Sequence, residues 1–395
     1  MTKTPAVADL LVELVRAPTV TPKAGAALDV LQRHLTPAGF SVDRPVFTES
    51  GKEAVENLFS AIGKSDRHLT LAGHVDVVPP GAEDSWSHPP FSAAIVDGVL
   101  YGRGAVDMKG GLAAMVFAAL RFVEKHGPDF GGRLSFLVTG DEEGDSVNGT
   151  RKLLDWAADR GERFSAALVG EPTSAKFLGD QIKVGRRGSL SATIVVEGTQ
   201  GHSAYPEKAD NPIRGLTQLL YGLQATPLDA GSEHFGPSSL EVVSVDVANP
   251  AWNVIPAKAT ARFNSRYNDC WTRETLIAEI EGRLNAAAHD PALVAERSVH
   301  WRLLPEPPSS DVFLTRDDAL IALVAGAIEK ITGRLPALST SGGTSDARFI
   351  KNFCPVVEFG PVGTTMHQVD ERISIAEVEQ TAAIYQEILE AYFRR

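Results

Sequence analysis

Two adjacent carboxylates, Glu142 and Glu143, form the centre of the chemistry written into this sequence. Further candidate ligands are His74 and Asp76 in Ala-Gly-His-Val-Asp, Asp107 in Gly-Arg-Gly-Ala-Val-Asp-Met-Lys-Gly-Gly, Glu171 in Val-Gly-Glu-Pro-Thr, and His367 in Thr-Thr-Met-His. Imidazole and carboxylate without thiolate suit zinc, or a harder divalent ion such as manganese or cobalt. The set is larger than one catalytic ion needs. It suits two ions that share a bridging carboxylate and a water, with one acid left over as a base. Such a donor set performs metal-assisted hydrolysis.

Each motif also has a plainer reading. His74 and Asp76 lie on the same side of an extended segment, so one can ligate while the other fixes its tautomer; the same tripeptide also suits a solvated strand end. Asp107 follows a turn with Gly102 and Gly104 and precedes Gly110 and Gly111, which allow close backbone approach, yet an aspartate there equally caps a helix. Glu142 and Glu143 point in different directions, so one can bind metal while the other faces a bound water. What separates the pair from two surface acids is the apolar run 134–139 leading straight into it. His202, in Gly-Thr-Gln-Gly-His-Ser-Ala-Tyr-Pro, is either a turn histidine or a donor to the oxyanion of a tetrahedral intermediate. In the second case domain closure or a second subunit must deliver it. Arg186, Arg187 and Arg266 are candidate forks for substrate carboxylates, or ordinary surface arginines.

These residues need elements that bring them together. Short apolar runs at 57–62, 69–73, 134–139 and 166–169 have strand length. They alternate with helical patterns at 7–15, 26–35, 111–125 and 150–160. The alternation predicts an α/β domain on a mostly parallel sheet covered on both faces. His74, Glu142–Glu143 and Glu171 each come just after a predicted strand, where ligands gather in open α/β sheets. From about residue 182 the pattern changes to strand-helix-strand-strand-helix-strand, which predicts an inserted α+β unit on an antiparallel sheet. It ends near 301–304, before Pro305-Glu-Pro-Pro. A helix at 318–332, a strand at 356–359 and a closing helix at 375–392 resume the first texture. The expected division is therefore a discontinuous catalytic domain, 1–181 and 304–395, with an inserted domain at 182–303.

The chain has 395 residues, 43% of them hydrophobic, and a net charge of −12. It has no basic run, so a nucleic-acid partner is not expected. No stretch reaches membrane-spanning length, the N-terminal pattern reads as an amphipathic helix rather than a signal peptide, and a cytoplasmic location is expected. Cys270 and Cys354 make no disulfide framework.

Taken in order, the motifs resemble the metal-dependent deacylase and exopeptidase family that includes aminoacylases, acetylornithine deacetylases and glutamate carboxypeptidases. The resemblance covers essentially the whole chain. It implies a zinc-peptidase-like fold and two Zn2+ per subunit, with Co2+ or Mn2+ possible in one site. Asp107 would bridge the ions, His74 and Glu171 would complete one site, and Glu143 and His367 the other. Glu142 would be the general base, with Asp76 supporting His74. His202 would reach the active site of the partner subunit in a homodimer made by the inserted domain. Arg186, Ser189, Tyr205, Asn253, Arg266, Gly343 and Thr344 resemble the substrate-contacting set. Segments 184–189, 253–256, 263–267 and 341–350 resemble the branch that removes a succinyl group from a diamino dicarboxylic acid. Gly363 departs from some members of that branch, which carry asparagine there. A deacetylase or exopeptidase of the same family, or a binding protein with a vestigial site, are the alternatives.

Overall fold

In the computed structural model, which describes residues 4–290 and 299–394, the chain divides into two compact units. One contains the chain up to residue 184, residues 315–339, and the chain from 345 onward; the other is Gly185–Leu314 with Thr340–Thr344.

The first unit is built on an eight-stranded sheet. Its order is Ser41–Asp43, Leu58–Gly63, Arg133–Thr139, His68–His74, Ala166–Val169, Val356–Glu358, Gln181–Lys183 and Ala337–Ser339. The four central strands, from Arg133–Thr139 to Val356–Glu358, are mutually parallel. The antiparallel pairings involve Ser41–Asp43, Leu58–Gly63 and Gln181–Lys183. Every residue of His68–His74 is buried, so side chains pointing both ways are covered. The helix Lys109–His126 is buried nearly all round, from Gly110 through Val123 apart from Phe117 and Arg121. Its far end packs in an aromatic cluster of Phe122, Phe130 and Phe393, the last on the closing helix Ile375–Phe393.

Glycine decides how closely this helix approaches the sheet. A Cβ on Gly111 would stand 2.1 Å from the carbonyl oxygen of Gly170, and one on Gly360 would stand 2.3 Å from that of Glu171. Both separations are impossible for a larger residue, so these two positions set the floor on which Glu171 rests.

The second unit is a four-stranded antiparallel sheet in the order Ser239–Asp246, Lys258–Tyr267, Gly188–Glu197, His300–Ser310. Alternate residues Leu190, Ala192, Ile194 and Val196 pack with Ala259, Ala261 and Phe263 against Leu216, Leu219, Leu223, Leu276, Ile280 and Leu284. Those last six lie on the helices Pro212–Gln224 and Arg273–Ala288. The expected strand and helix order is the order found. The divisions, however, fall at 184/185 and 314/315 instead of 181/182 and 303/304, and Thr340–Thr344 joins the second unit. The later second division reflects Pro305 and Pro307, which read as the end of a strand. They sit in the edge strand His300–Ser310, where an absent N–H costs no ladder bond.

Candidate metal centre

The parallel strands run in one direction, so their carboxyl ends open on one edge of the sheet. His74 is the last residue of its strand; Glu142 and Glu143 follow Thr139, and Glu171 follows Val169. Asp107 enters from the turn before the helix Lys109–His126, through a cis Asp107–Met108 peptide. His367 follows Val356–Glu358 on a loop and holds a left-handed φ of 61°. That conformation is uncommon for a residue with a Cβ, and histidine is among those that adopt it.

Asp107 stands between the two histidines. Its Oδ1 lies 3.2 Å from His74 Nε2, and its Oδ2 lies 3.2 Å from His367 Nε2. Glu171 Oε1 is 3.6 Å from His74 Nε2, and Glu143 Oε1 is 2.9 Å from His367 Nε2. Two triplets result, His74–Asp107–Glu171 and Asp107–Glu143–His367, and they share only the aspartate. A third grouping joins His74 with Glu142 and Glu143. Two donors on a tetrahedral zinc, each about 2.0–2.1 Å from it, are about 3.3 Å apart. The histidine-to-carboxylate spacings, 2.9 to 3.6 Å, bracket that distance, and the nitrogen and oxygen donors suit zinc.

Without cations the histidines take protons instead. Burial opposes a charge on His74, but the hydrogen bond to Asp107 and the charges of Glu171, Glu142 and Asp107 outweigh it and raise its pKa well above the ordinary range. Hydrogen bonds to Asp107 and Glu143 push His367 up to about 10. Burial also opposes the charge on Asp107, and here His367 and His74 prevail, holding its pKa far below the ordinary carboxylate range. Burial, followed by the neighbouring acids Asp346, Glu143 and Asp107, pushes Glu142 up to about 8 against the opposing charge of His74.

Asp76 meets His74 through its backbone, where the side chain was expected. His74 Nδ1 donates to the Asp76 backbone carbonyl at 2.8 Å, while the Asp76 carboxylate stands 3.6 Å away. The carboxylate instead accepts the backbone N–H groups of Glu142, at 3.3 Å, and Glu143, at 3.1 Å. One residue thus sets the His74 tautomer through its backbone and holds the glutamate pair through its side chain.

Sequence reading missed three supports. Asp141 accepts the N–H groups of Ser146, Val147 and Asn148, turning the chain after the glutamate pair. Glu371 accepts the N–H groups of Gly104, Val106 and Asp107, and pairs with the buried Arg103 at 2.8 Å. The only sequence signal was charge beside a ligand, which is too common to mark a role.

In the second unit the expected substrate residues form three groups. His202 pairs across a short antiparallel bridge with Val254, and Ser203 N–H donates to the Asn253 carbonyl at 2.9 Å. The Tyr205 ring lies 5.8 Å from that of His202. His202 is exposed, and its Nδ1 accepts the Ala204 N–H at 3.0 Å, which leaves Nε2 as the donor. Ser189 and Arg266 face each other across the sheet. Burial, and then the charge of Arg187, hold the Arg266 pKa below its usual value. Arg186 donates to the Gly343 carbonyl at 2.8 Å, next to Thr344.

Residues 70–391 match the family described as peptidase family M20/M25/M40. The chain is 58% identical over 380 residues, 96% of its own length and 96% of the other, to a succinyl-diaminopimelate desuccinylase of Methylorubrum populi. Its fold is similar to that of the aminopeptidase PepT of Bacillus cereus, with a TM-score of 0.79 and 22% identity, covering 99% of both chains. A Bacillus subtilis protein described as a dinuclear metal binding peptidase of the M20 family has a TM-score of 0.67 at 17% identity, covering 98% of this chain and 96% of that one.

Proposed function

The chain belongs to the M20/M25/M40 peptidase family, and we propose that it is a two-metal amide hydrolase that removes succinate from N-succinyl-L,L-2,6-diaminopimelate and releases L,L-diaminopimelate. The acyl group and amine come from the Methylorubrum populi relative, whose 58% identity extends over 96% of both chains. The observation that carries the hydrolytic reading is Asp107, whose two carboxylate oxygens each reach a different histidine.

His74, Asp107 and Glu171 would hold one cation; Asp107, Glu143 and His367 would hold the other. Zinc suits both sets, and cobalt or manganese can take one of them. Two bound cations supply a water acidified toward neutral pH and positive charge beside the amide oxygen. Glu142 takes a proton from the attacking water as the new C–O bond forms. It returns that proton to the amine nitrogen as the C–N bond breaks. His202 donates through Nε2 to the carbonyl oxygen as that oxygen gains charge. Asp76 keeps Glu142 and Glu143 in place. Arg186 and Arg266 take substrate carboxylates, with Ser189, Tyr205, Asn253, Gly343 and Thr344 completing the contacts. The second unit, close to the 182–303 read from sequence, makes a homodimer that brings His202 to the partner subunit. This activity belongs with cytoplasmic amino-acid biosynthesis.

The test is steady-state hydrolysis by zinc-loaded protein of the succinylated diamino acid, N-acetylornithine and a dipeptide. The succinylated substrate should have the highest kcat/KM. A higher value for N-acetylornithine would make the chain a deacetylase, and one for the dipeptide an exopeptidase. Absence of metal-dependent hydrolysis on all three would leave a binding protein with a vestigial site.

A further inference from the structure

The two loops that bring Asp107 and His367 to the centre are fastened to each other away from the reacting atoms. Glu371 is fully buried and its carboxylate accepts from four donors. Oε1 takes the N–H groups of Val106, at 2.8 Å, and of Asp107 itself, at 3.0 Å. Oε2 takes the N–H of Gly104 at 3.0 Å and Arg103 Nη1 at 2.8 Å. The Gly102 N–H also donates to the Glu371 carbonyl at 2.8 Å. Arg103 then reaches the other loop: its guanidinium donates to the Gln368 carbonyl at 3.2 Å and the His367 carbonyl at 3.4 Å. The indole of Trp86 lies 5.1 Å from the guanidinium. One ion pair therefore holds the backbones of both ligand-bearing residues, within the same unit.

The two triplets depend on this clamp unequally. His74 ends a central strand, and Glu171 follows another central strand on a floor set by Gly111 and Gly360. Those two ligands are placed by the sheet. His367 rests on a loop with a left-handed backbone, and its 3.2 Å distance to Asp107 is fixed where the loops meet. We propose that Arg103, held by Glu371, is a positioning residue for the Asp107–Glu143–His367 site, by holding the His367 loop at its distance from Asp107. The assignment rests on the two-metal reading above.

Loss of such support for a metal ligand weakens binding by roughly 10–100-fold. The experiment is calorimetric titration of the chelator-treated full chain with Zn2+, and with Co2+ read by its visible absorption bands. Wild type should take two equivalents. His367→Ala should lose one, and so identify it. Glu371→Gln should weaken that same equivalent by roughly 10–100-fold and the other, which shares Asp107, by less. Because removal of one partner strands the other charge, Arg103→Met is a second variant: it keeps the three N–H bonds to Glu371 but loses the hold on the His367 loop. It should weaken the His367 equivalent and leave the other unchanged. Glu371→Asp, which keeps the charge, should recover part of the affinity.

If both equivalents weaken in parallel with a fall in melting temperature, the clamp supports the fold in general and the assignment is wrong. Titrations of Glu371→Gln that superimpose on a wild type taking two equivalents also overturn it, leaving the two-metal reading intact. A wild type taking fewer than two equivalents overturns that reading and the assignment with it.

Discussion

Two neighbouring glutamates are given different work by what surrounds each of them. Glu143 reaches His367 at 2.9 Å and belongs to a candidate metal triplet, whereas Glu142 appears only in the grouping with His74 and Glu143. Glu142→Gln should therefore retain both metals and lose roughly 10²–10⁴-fold in kcat. Glu143→Ala should lose one metal equivalent. Metal analysis of the two variants beside their kinetics decides the assignment, and the reverse pattern exchanges the two roles. The same cluster gives the metal-free protein a pH dependence. Asp76 and Glu142 have folded pKa values pushed up to about 6 and about 8, and His367 to about 10. Their unfolded values are about 4, 4 and 6.5. Each folded value is the higher one, so the folded chain binds more protons between those limits and loses stability as pH rises through them. The depressed Asp107 has the opposite effect, but only below about pH 4, where an unfolded aspartate takes up its proton. Chelator-treated protein should thus melt at a lower temperature at pH 9 than at pH 6. Bound cations replace those protons, so zinc should raise the melting temperature more at pH 9 than at pH 6. Equal melting of metal-free protein at the two pH values would mean that the cluster does not hold these protons.

The strands that carry ligands were readable because each is a short apolar run leading directly into a charged residue; 134–139 ending at Glu142–Glu143 is the clearest. His68–His74 and Ala166–Val169 were readable for the same reason. Gln181–Lys183 and Ala337–Ser339, three residues each, were not, because they are too short to have a period. The candidate donors and the strand ends that bring them together were legible, while their supports were not. Glu371 and Asp141 act by accepting backbone N–H groups, and nothing in the spacing of a sequence shows where a loop's N–H groups will point. The glycines near Asp107 suggested close approach without saying to what. The structure shows that Gly111 meets the Gly170 carbonyl. Gly111→Ala tests whether this contact places Glu171. A Cβ 2.1 Å from a backbone oxygen forces the helix away from the strand end. Overpacking of this kind typically costs about 1–3 kcal/mol. The expected result is a lower melting temperature together with weakened metal binding at the His74–Asp107–Glu171 site. If metal binding is unchanged in a variant that has clearly lost stability, the glycine serves packing alone.

At the scale of the molecule, the proposed homodimer decides which subunit's centre His202 serves. The exposed ring with Nε2 as donor belongs to the second unit, where a groove of about 550 Å3 is lined by Ile213, Tyr221, Val299 and His300. Tyr221 is 66% exposed, and the edge strand His300–Ser310 is open at its first residues, before Pro305 and Pro307 blunt it. An aromatic side chain beside a strand edge unpaired among the described residues suits an isologous contact, in which the same patch meets itself across a two-fold axis. Tyr221→Glu should therefore yield monomers in sedimentation and lose most activity while keeping both metals. Mixed dimers then ask which subunit supplies the histidine. Glu142→Gln and His202→Ala should each be nearly inactive alone. When they are dissociated together and reassociated in equal amounts, half of the dimers are mixed. If His202 acts across the interface, each mixed dimer has one site with an intact Glu142 from one chain and an intact His202 from the other. Activity should return to about a quarter of the wild-type value, by the two-fold symmetry of the contact. If His202 serves its own subunit, every site in the mixture lacks one of the two groups, and no activity returns even where native mass spectrometry shows that the mixed dimers have formed.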